Sequence, residues 1–195
     1  MRLRPSVLAE LESAADAIWQ RHRARQGDRF HGFVPADLAG AADALARLRS
    51  RATTFVELGS GSGAITVAAD LLGYEASGIE IEPWLVDAAE ELAETFESDA
   101  RFVTGSFLPS GFRVEGLIDA DYAVTSDAAS SAWDELGEDI ADFDLVYAFP
   151  WPGEEEMFFR LLEEHGRPGQ LFLTYHADEG FVLRQDGEVV ALPGT

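Results

Sequence analysis

Apolar residues recur along the chain in two rhythms, and the switches between them divide it into elements. Over residues 5–23, Val7, Leu8, Leu11, Ala14, Ala15, Ile18 and Trp19 share one face at helical spacing. Residues 26–34 interrupt that pattern. Pro35 then stands where a second helix can begin, with Leu38, Ala41, Ala42, Leu45 and Leu48 on its buried face. Phe55, Val56 and Leu58 form a short continuous apolar run, as a buried strand requires. Helical period returns with Ile65, Val67, Ala68, Ala69, Leu71 and Leu72.

The same alternation continues. A strand is predicted over 75–82, a helix over 83–96, and a short strand over 101–104. Residues 108–142 are less regular. Pro109, Ser110 and Gly111 mark a turn, 114–124 reads as an irregular or short strand segment, and 126–136 as a short helix capped by Ser126 or Asp127. A connection this long suggests an inserted substrate-side loop. A buried strand follows over 143–148, then a helix over 154–165 and a strand over 170–175. The tail, 180–192, reads as a hairpin, FVLRQ and EVVAL about Asp186-Gly187. Strands alternating with helices predict an α/β chain with a mostly parallel, doubly wound sheet.

The chemistry concentrates at the first strand–helix junction, FVELGSGSGA, residues 55–64. Gly59, Gly61 and Gly63 allow positive φ and close approach of a ligand to the backbone. A helix starting there aims free N–H groups over the turn. The structural alternative is a tight packing turn with no ligand. Gly59, Gly61 and Ala64 also satisfy the dinucleotide fingerprint of a nicotinamide-dependent oxidoreductase. Glu57 argues against that ligand, because a carboxylate just before the turn repels a pyrophosphate and attracts an ammonium or a sulfonium. The acid-x-glycine-x-glycine-x-glycine spacing, Glu57 through Gly63, resembles the first motif of class I S-adenosylmethionine (SAM)-dependent methyltransferases.

That resemblance implies further roles. Glu57, Gly59, Ser60, Gly61 and Gly63 would hold the methionine end of SAM. Glu80, in the strand EASGIEIE about twenty residues on, would bind the ribose, with Ile81 beside the adenine. Glu82, next to Pro83, fits the start of the following helix. Ser106, after Gly105, stands where the family usually has an acid for the adenine amino group, and Phe107 would complete that edge. The implied fold is a class I methyltransferase-like sheet of seven strands with helices on both faces, ending in an antiparallel hairpin. The family usually places a helix before that hairpin, and too few residues follow Tyr175 to hold one. Residues 1–51 resemble the helical cap that many such enzymes carry, and 52–195 the SAM-binding domain.

The strand over 143–148 ends in Phe149-Pro150-Trp151-Pro152, at the expected ligand crevice. Amine-directed relatives often have an Asn/Asp-Pro-Pro-aromatic signature there. This chain lacks its polar first residue. Phe149 and Trp151 are candidates to shape the acceptor site, by stacking on a flat substrate or by caging a cationic amine. The alternative is core closure at a strand end. Glu154, Glu155 and Glu156 complement a helix dipole. His176, at the end of the next strand, is a candidate general base and equally a structural histidine. Arg21, Arg23, Arg25 and Arg29 form a basic patch, and His31 lies between Phe30 and Phe33. Each has a bland reading, as a solvated face or a buried loop histidine.

Charge narrows the acceptor. The net charge is −22, and residues 1–51 carry +3 against −25 for the remainder. All fourteen basic residues are arginine. A body this acidic repels a phosphate backbone, which demotes nucleic acid as substrate. No apolar run has the length of a membrane span, and no signal-peptide core is evident. With no cysteine, the chain has neither a disulfide framework nor a thiol nucleophile. The expected location is cytoplasmic. Asp119, Asp121 and Asp127 lack calcium-loop spacing, and no metal is expected. A SAM-dependent methyltransferase of small molecules or protein side chains is the leading expectation. The alternative from another class is a non-catalytic SAM-binding or assembly protein of the same fold. Oligomeric state is not legible.

Overall fold

The computed structural model describes residues 2–26, 36–114 and 130–194. Two helices come first, α1 (Pro5–Gln26) and α2 (Leu38–Leu48). Asp37 caps α2 by accepting from the Gly40 N–H at 2.9 Å. The helix therefore starts at Leu38 and not at Pro35, which lies outside the described residues. Then come β1 (Thr54–Leu58), α3 (Ala64–Leu71), β2 (Glu75–Glu80), α4 (Pro83–Thr95) and β3 (Arg101–Thr104). Glu82 is the N-cap residue of α4, with Pro83 opening the helix.

The irregular stretch gives less helix than the pattern suggested. Val114 is not in a strand, and residues 115–129 lie outside the described part. Helix α5 is a single turn, Trp133–Leu136. Just before it, Ser131 pairs with Ser106 in a parallel bridge. A 3-10 turn, Ile140–Asp142, leads into β4 (Leu145–Ala148). Phe143 belongs to the approach to β4, where its ring packs 6.3 Å from that of Trp133. The chain continues with α6 (Glu155–His165), β5 (Leu171–His176), β6 (Gly180–Gln185) and β7 (Glu188–Val190).

The seven strands form one sheet in the order β3-β2-β1-β4-β5-β6-β7. The first five are parallel neighbours, and β6 and β7 are antiparallel. This is the expected doubly wound sheet. Its end departs in one respect. Ala177-Asp178-Glu179 joins β5 directly to β6, with His176 opposite Gly180. The terminus is thus a three-stranded antiparallel meander, because so short a link cannot hold a crossover helix.

Successive strand residues face opposite sides of the sheet, and the chain builds a core on each. On one side Phe55, Leu145, Tyr147, Leu173 and Leu183 meet Leu11 and Ile18 of α1, Leu45 and Leu48 of α2, and residues of α3 and α4. On the other, Val56, Ile79, Val146 and Phe172 meet Trp133, Met157, Phe158 and Leu161. Both leading helices therefore share one core with α3 and α4. Glu57 and Tyr147 are register partners on adjacent strands, and alternation puts them on this first side.

Candidate functional site

The strand order reverses between β1 and β4, and ligands of open α/β sheets bind at the carboxyl ends of such strands. The glycine turn lies there. Gly59 and Ser60 both donate their N–H to the Ile79 carbonyl at 2.9 Å, and Gly63 donates to the Ser60 carbonyl at 2.8 Å. The glycines do different work. Gly63, at φ 76°, faces α4 and β3 so closely that a Cβ would lie 2.6 Å from Ala89 Cβ and 2.8 Å from Phe102 Cζ. Gly59, at φ 81°, faces open space, with nothing within 4 Å of a Cβ. Gly61 lies under the indole of Trp19, brought over the turn by α1. Packing accounts for Gly63; it does not account for Gly59.

Two acids frame the turn. Glu57 is buried and accepts from Thr66 twice, from its N–H at 3.1 Å and its hydroxyl at 2.6 Å. Burial pushes its pKa up to about 8, against the Thr66 bonds, with the Glu80 charge adding to the rise. A cation over the turn favours its ionised form. Glu80 ends β2 and accepts from the N–H groups of Gly61 at 2.8 Å, Ile81 at 2.8 Å and Glu82 at 3.0 Å. Burial also raises the Glu80 pKa, and these three bonds oppose the rise. Its carboxylate thus braces the turn, Oε2 through Gly61 and Oε1 through Ile81 and Glu82. Ile81, beside it, is 49% exposed. Ser60 Oγ is buried and has no hydrogen-bond partner among the described residues.

Ser106 is buried, and its hydroxyl accepts from the Leu108 N–H at 3.1 Å. The ring of Phe107 stacks 5.4 Å from Phe158 of α6, while its carbonyl accepts from the Trp133 indole at 2.8 Å. That ring therefore sits in the second core and not beside Ile81. Past β4, Phe149 meets Tyr175 edge-on at 5.0 Å, and Tyr175 lies 4.8 Å from Phe181. Trp151 is half-buried, its N–H donating to Glu154 at 3.2 Å. His176 faces α6: its Nε2 is 3.0 Å from the Thr174 hydroxyl and its Nδ1 is 3.9 Å from the Glu155 carboxylate.

The structure thus brings Glu57, the glycine turn, Glu80 and Ile81 together, with Phe149 across the crevice. It does not bring the ring of Phe107 or the imidazole of His176 to them. The sequence reading did not place Trp19 over the turn, nor Tyr147, Tyr175 and Phe181 on the Glu57 side of the sheet. Strand alternation was the available signal for Tyr147 and Tyr175. Of the basic patch, Arg21 and Arg25 lie over the Trp84 ring at 5.7 and 5.0 Å, and His22 stacks on the same ring at 5.8 Å. Arg29, His31, Asp119, Asp121 and Asp127 lie outside the described residues. Among the described residues, no three His, Cys, Asp or Glu side chains are grouped to hold a metal, and no helix is long and apolar enough to cross a membrane.

Solved structures share this architecture. An O-methyltransferase from Bacillus cereus, in complex with S-adenosylhomocysteine, matches 88% of this chain and 66% of its own, with a TM-score of 0.51 and 16% identity. An RNA methyltransferase from Salinibacter ruber, also in complex with S-adenosylhomocysteine, matches 83% of this chain and 95% of its own, at 0.51 and 20%. The fold is that of a class I methyltransferase. Sequence similarity to curated proteins is local. An ATP synthase lysine N-methyltransferase of Xenopus laevis is 44% identical over 54 residues, and the human protein of the same name 43% over 54. That stretch is 28% of this chain and 24% and 23% of those relatives. No family model matches the chain. Within the class I methyltransferase fold, the turn after β1 and the acid ending β2 stand at the crevice.

Proposed function

We propose that this protein is a SAM-dependent methyltransferase acting on a small molecule or a protein side chain. One observation carries the reading: the turn after β1 is built to receive a ligand. Gly59 opens onto free space, Ser60 Oγ is buried without a partner among the described residues, and Ile81 is exposed beside the braced Glu80. Glu57, Gly59, Ser60, Gly61 and Gly63 would hold the methionine end. Glu80 would hold the ribose, and Ile81, the Ser106 hydroxyl and the Phe107 backbone the adenine. When bound, the cofactor supplies a methyl group already activated on a sulfonium. The protein's work is then to position an acceptor and exclude water, which asks for no catalytic triad. Phe149 and Trp151 would line the acceptor side.

Local similarity to lysine N-methyltransferases supports a protein side chain as acceptor. The strong negative charge of residues 52–195 supports an acceptor other than nucleic acid. The absence of cysteine supports a cytoplasmic setting. The non-catalytic alternative draws on Phe149, which offers no polar side chain where amine-directed relatives have one.

Calorimetry with S-adenosylhomocysteine, and separately NAD, tests the cofactor site. Because Glu80 braces backbone N–H groups, Glu80→Gln is more informative than truncation to alanine. We expect micromolar or tighter binding of S-adenosylhomocysteine, weakened about tenfold in Glu80→Gln. Absence of that binding sinks the proposal, and NAD binding in its place moves the oxidoreductase forward. Binding without turnover over varied acceptors supports the non-catalytic alternative.

A further inference from the structure

The acceptor side of the crevice contains a feature that the turn does not explain. Tyr147 is 1% exposed, yet its hydroxyl has no hydrogen-bond partner among the described residues. A buried hydroxyl left unpaired costs about 1–3 kcal/mol, so an otherwise well-packed strand carries a liability there. Its ring stacks 6.3 Å from Phe55, and phenylalanine in its place would keep that contact. Burial raises the tyrosine's pKa well above the ordinary value, and the charges of Glu57, Tyr175 and Asp37 raise it further. Glu57 is its register partner on the adjacent strand β1.

Three aromatic rings continue from it across the carboxyl end of the sheet. Phe149, Tyr175 and Phe181 are all half-buried. Phe149 meets Tyr175 at 5.0 Å and 71°, and Tyr175 meets Phe181 at 4.8 Å and 38°. The first turn of α2 closes the far end: a Cβ on Gly40 would lie 2.6 Å from Phe181 Cε2, which brings the Asp37 carboxylate beside the rim. Aromatic faces carry negative potential and attract cations, most strongly where water is partly excluded. A buried unpaired oxygen, a row of rings and the Asp37 carboxylate form one chemical type of surface, suited to a positive charge on an apolar stem.

We propose that Tyr147, Phe149, Tyr175 and Phe181 form the acceptor subsite, and that it takes an alkylamine, bound as its ammonium. This deepens the methyltransferase reading and rests on it for the transfer step. The amine reacts only after its nitrogen loses a proton to water. The nitrogen lone pair then forms the N–C bond as the C–S bond breaks, and the electron pair of that bond returns to sulfur. Tyr147 lies beneath the rim, and its hydroxyl accepts an N–H from the amine once the rings above it admit the nitrogen. The aromatic rim holds the apolar stem.

The test uses n-butylammonium as probe and 1-butanol as its uncharged counterpart, titrated by NMR with and without S-adenosylhomocysteine. The ammonium should bind about fivefold or more tightly than the alcohol. Phe149→Leu and Tyr175→Leu should each erase most of that preference while leaving S-adenosylhomocysteine affinity within about twofold of wild type. Tyr147→Phe should weaken the ammonium alone, with a thermal midpoint at or above wild type because the unpaired hydroxyl is gone. Equal affinity for the two probes, absence of ammonium binding, or selectivity unchanged in all three variants would overturn the proposal. S-adenosylhomocysteine affinity is read in the same samples. Its loss would sink the transfer reading and leave the ammonium site standing, whereas its retention without ammonium preference would do the reverse.

Discussion

The two banks of the crevice are built on opposite plans. On the β1–β2 bank, the carboxylates are tied to backbone and side-chain donors of the turn, Glu57 to Thr66 and Glu80 to Gly61, Ile81 and Glu82, while the buried Ser60 hydroxyl has no partner among the described residues. On the β4–β6 bank, side chains far apart in sequence meet through rings, and the Tyr147 hydroxyl, deep below them, is unpaired among the described residues. The first bank is pre-formed by backbone geometry, which suits an invariant cofactor. The second is set by side-chain shape, which can change from one acceptor to another without disturbing the sheet.

The contrast predicts that substitutions of the residues that build the turn on the first bank disturb the fold, whereas those on the second bank chiefly affect recognition. The largest effect belongs to Gly63→Ala, which combines a left-handed backbone with collisions against Ala89 and Phe102. It should cost about 3 kcal/mol by denaturant melts. Gly59→Ala adds no collision, so only the backbone term of about 1–2 kcal/mol remains. It should nonetheless weaken S-adenosylhomocysteine at least tenfold, since its methyl enters the open space. Similar melts for the two variants would show that the turn's glycines share one role.

Acid–base behaviour also differs between the crevice and the amino end of the sheet. Glu57 has a folded-state pKa near 8, above its ordinary 4.5. The folded chain therefore keeps a proton that the unfolded chain releases. Its contribution to stability is full below about pH 4.5 and is lost as pH rises through about 8. Glu57→Gln should flatten that limb, so its thermal midpoint gains on wild type as pH goes from about 5 to 9. Asp144, just before β4, runs the other way. Burial pushes its carboxyl up, but the Thr53 and Thr54 N–H groups and the Arg167 guanidinium prevail, and its pKa is lowered. Its contribution is present above its unfolded pKa near 4 and lost as pH falls through the folded value. Asp144→Asn should cost about 1 kcal/mol at neutral pH and almost nothing near pH 2. Ile81→Ser should have the smallest effect on stability, within about 0.5 kcal/mol, while lowering S-adenosylhomocysteine affinity several-fold.

Much of the first bank was legible in the sequence because its signals are local. An acid, three spaced glycines and a second acid one strand later state the turn and its brace in one short stretch. The second bank was harder. Periodicity says that Tyr175 and His176 face opposite sides of β5, but which of them faces Glu57 depends on which side α6 takes. The structure puts α6 on the His176 side and leaves Tyr175 on the side of Glu57. Phe107 turns its ring to Phe158 on the α6 face, a direction that periodicity alone left open. In α2, Asp37 outweighed Pro35 as the start signal because a side-chain acceptor satisfies an N–H that proline cannot. The aromatic rim has no sequence motif, since its members come from three separate segments that the sheet sets side by side.

The direct link from β5 to β6 has a consequence for how the molecule assembles. Parallel neighbours such as β1 and β4 must close a long loop before they gain a contact, which is slow. The last three strands close only short ones and can pair on the microsecond scale of hairpins. Tyr175 and Phe181 face each other across that first link, as partners in the β5–β6 register. Their contact can therefore form before the sheet is complete, and that part of the rim is ready when β4 arrives with Phe149.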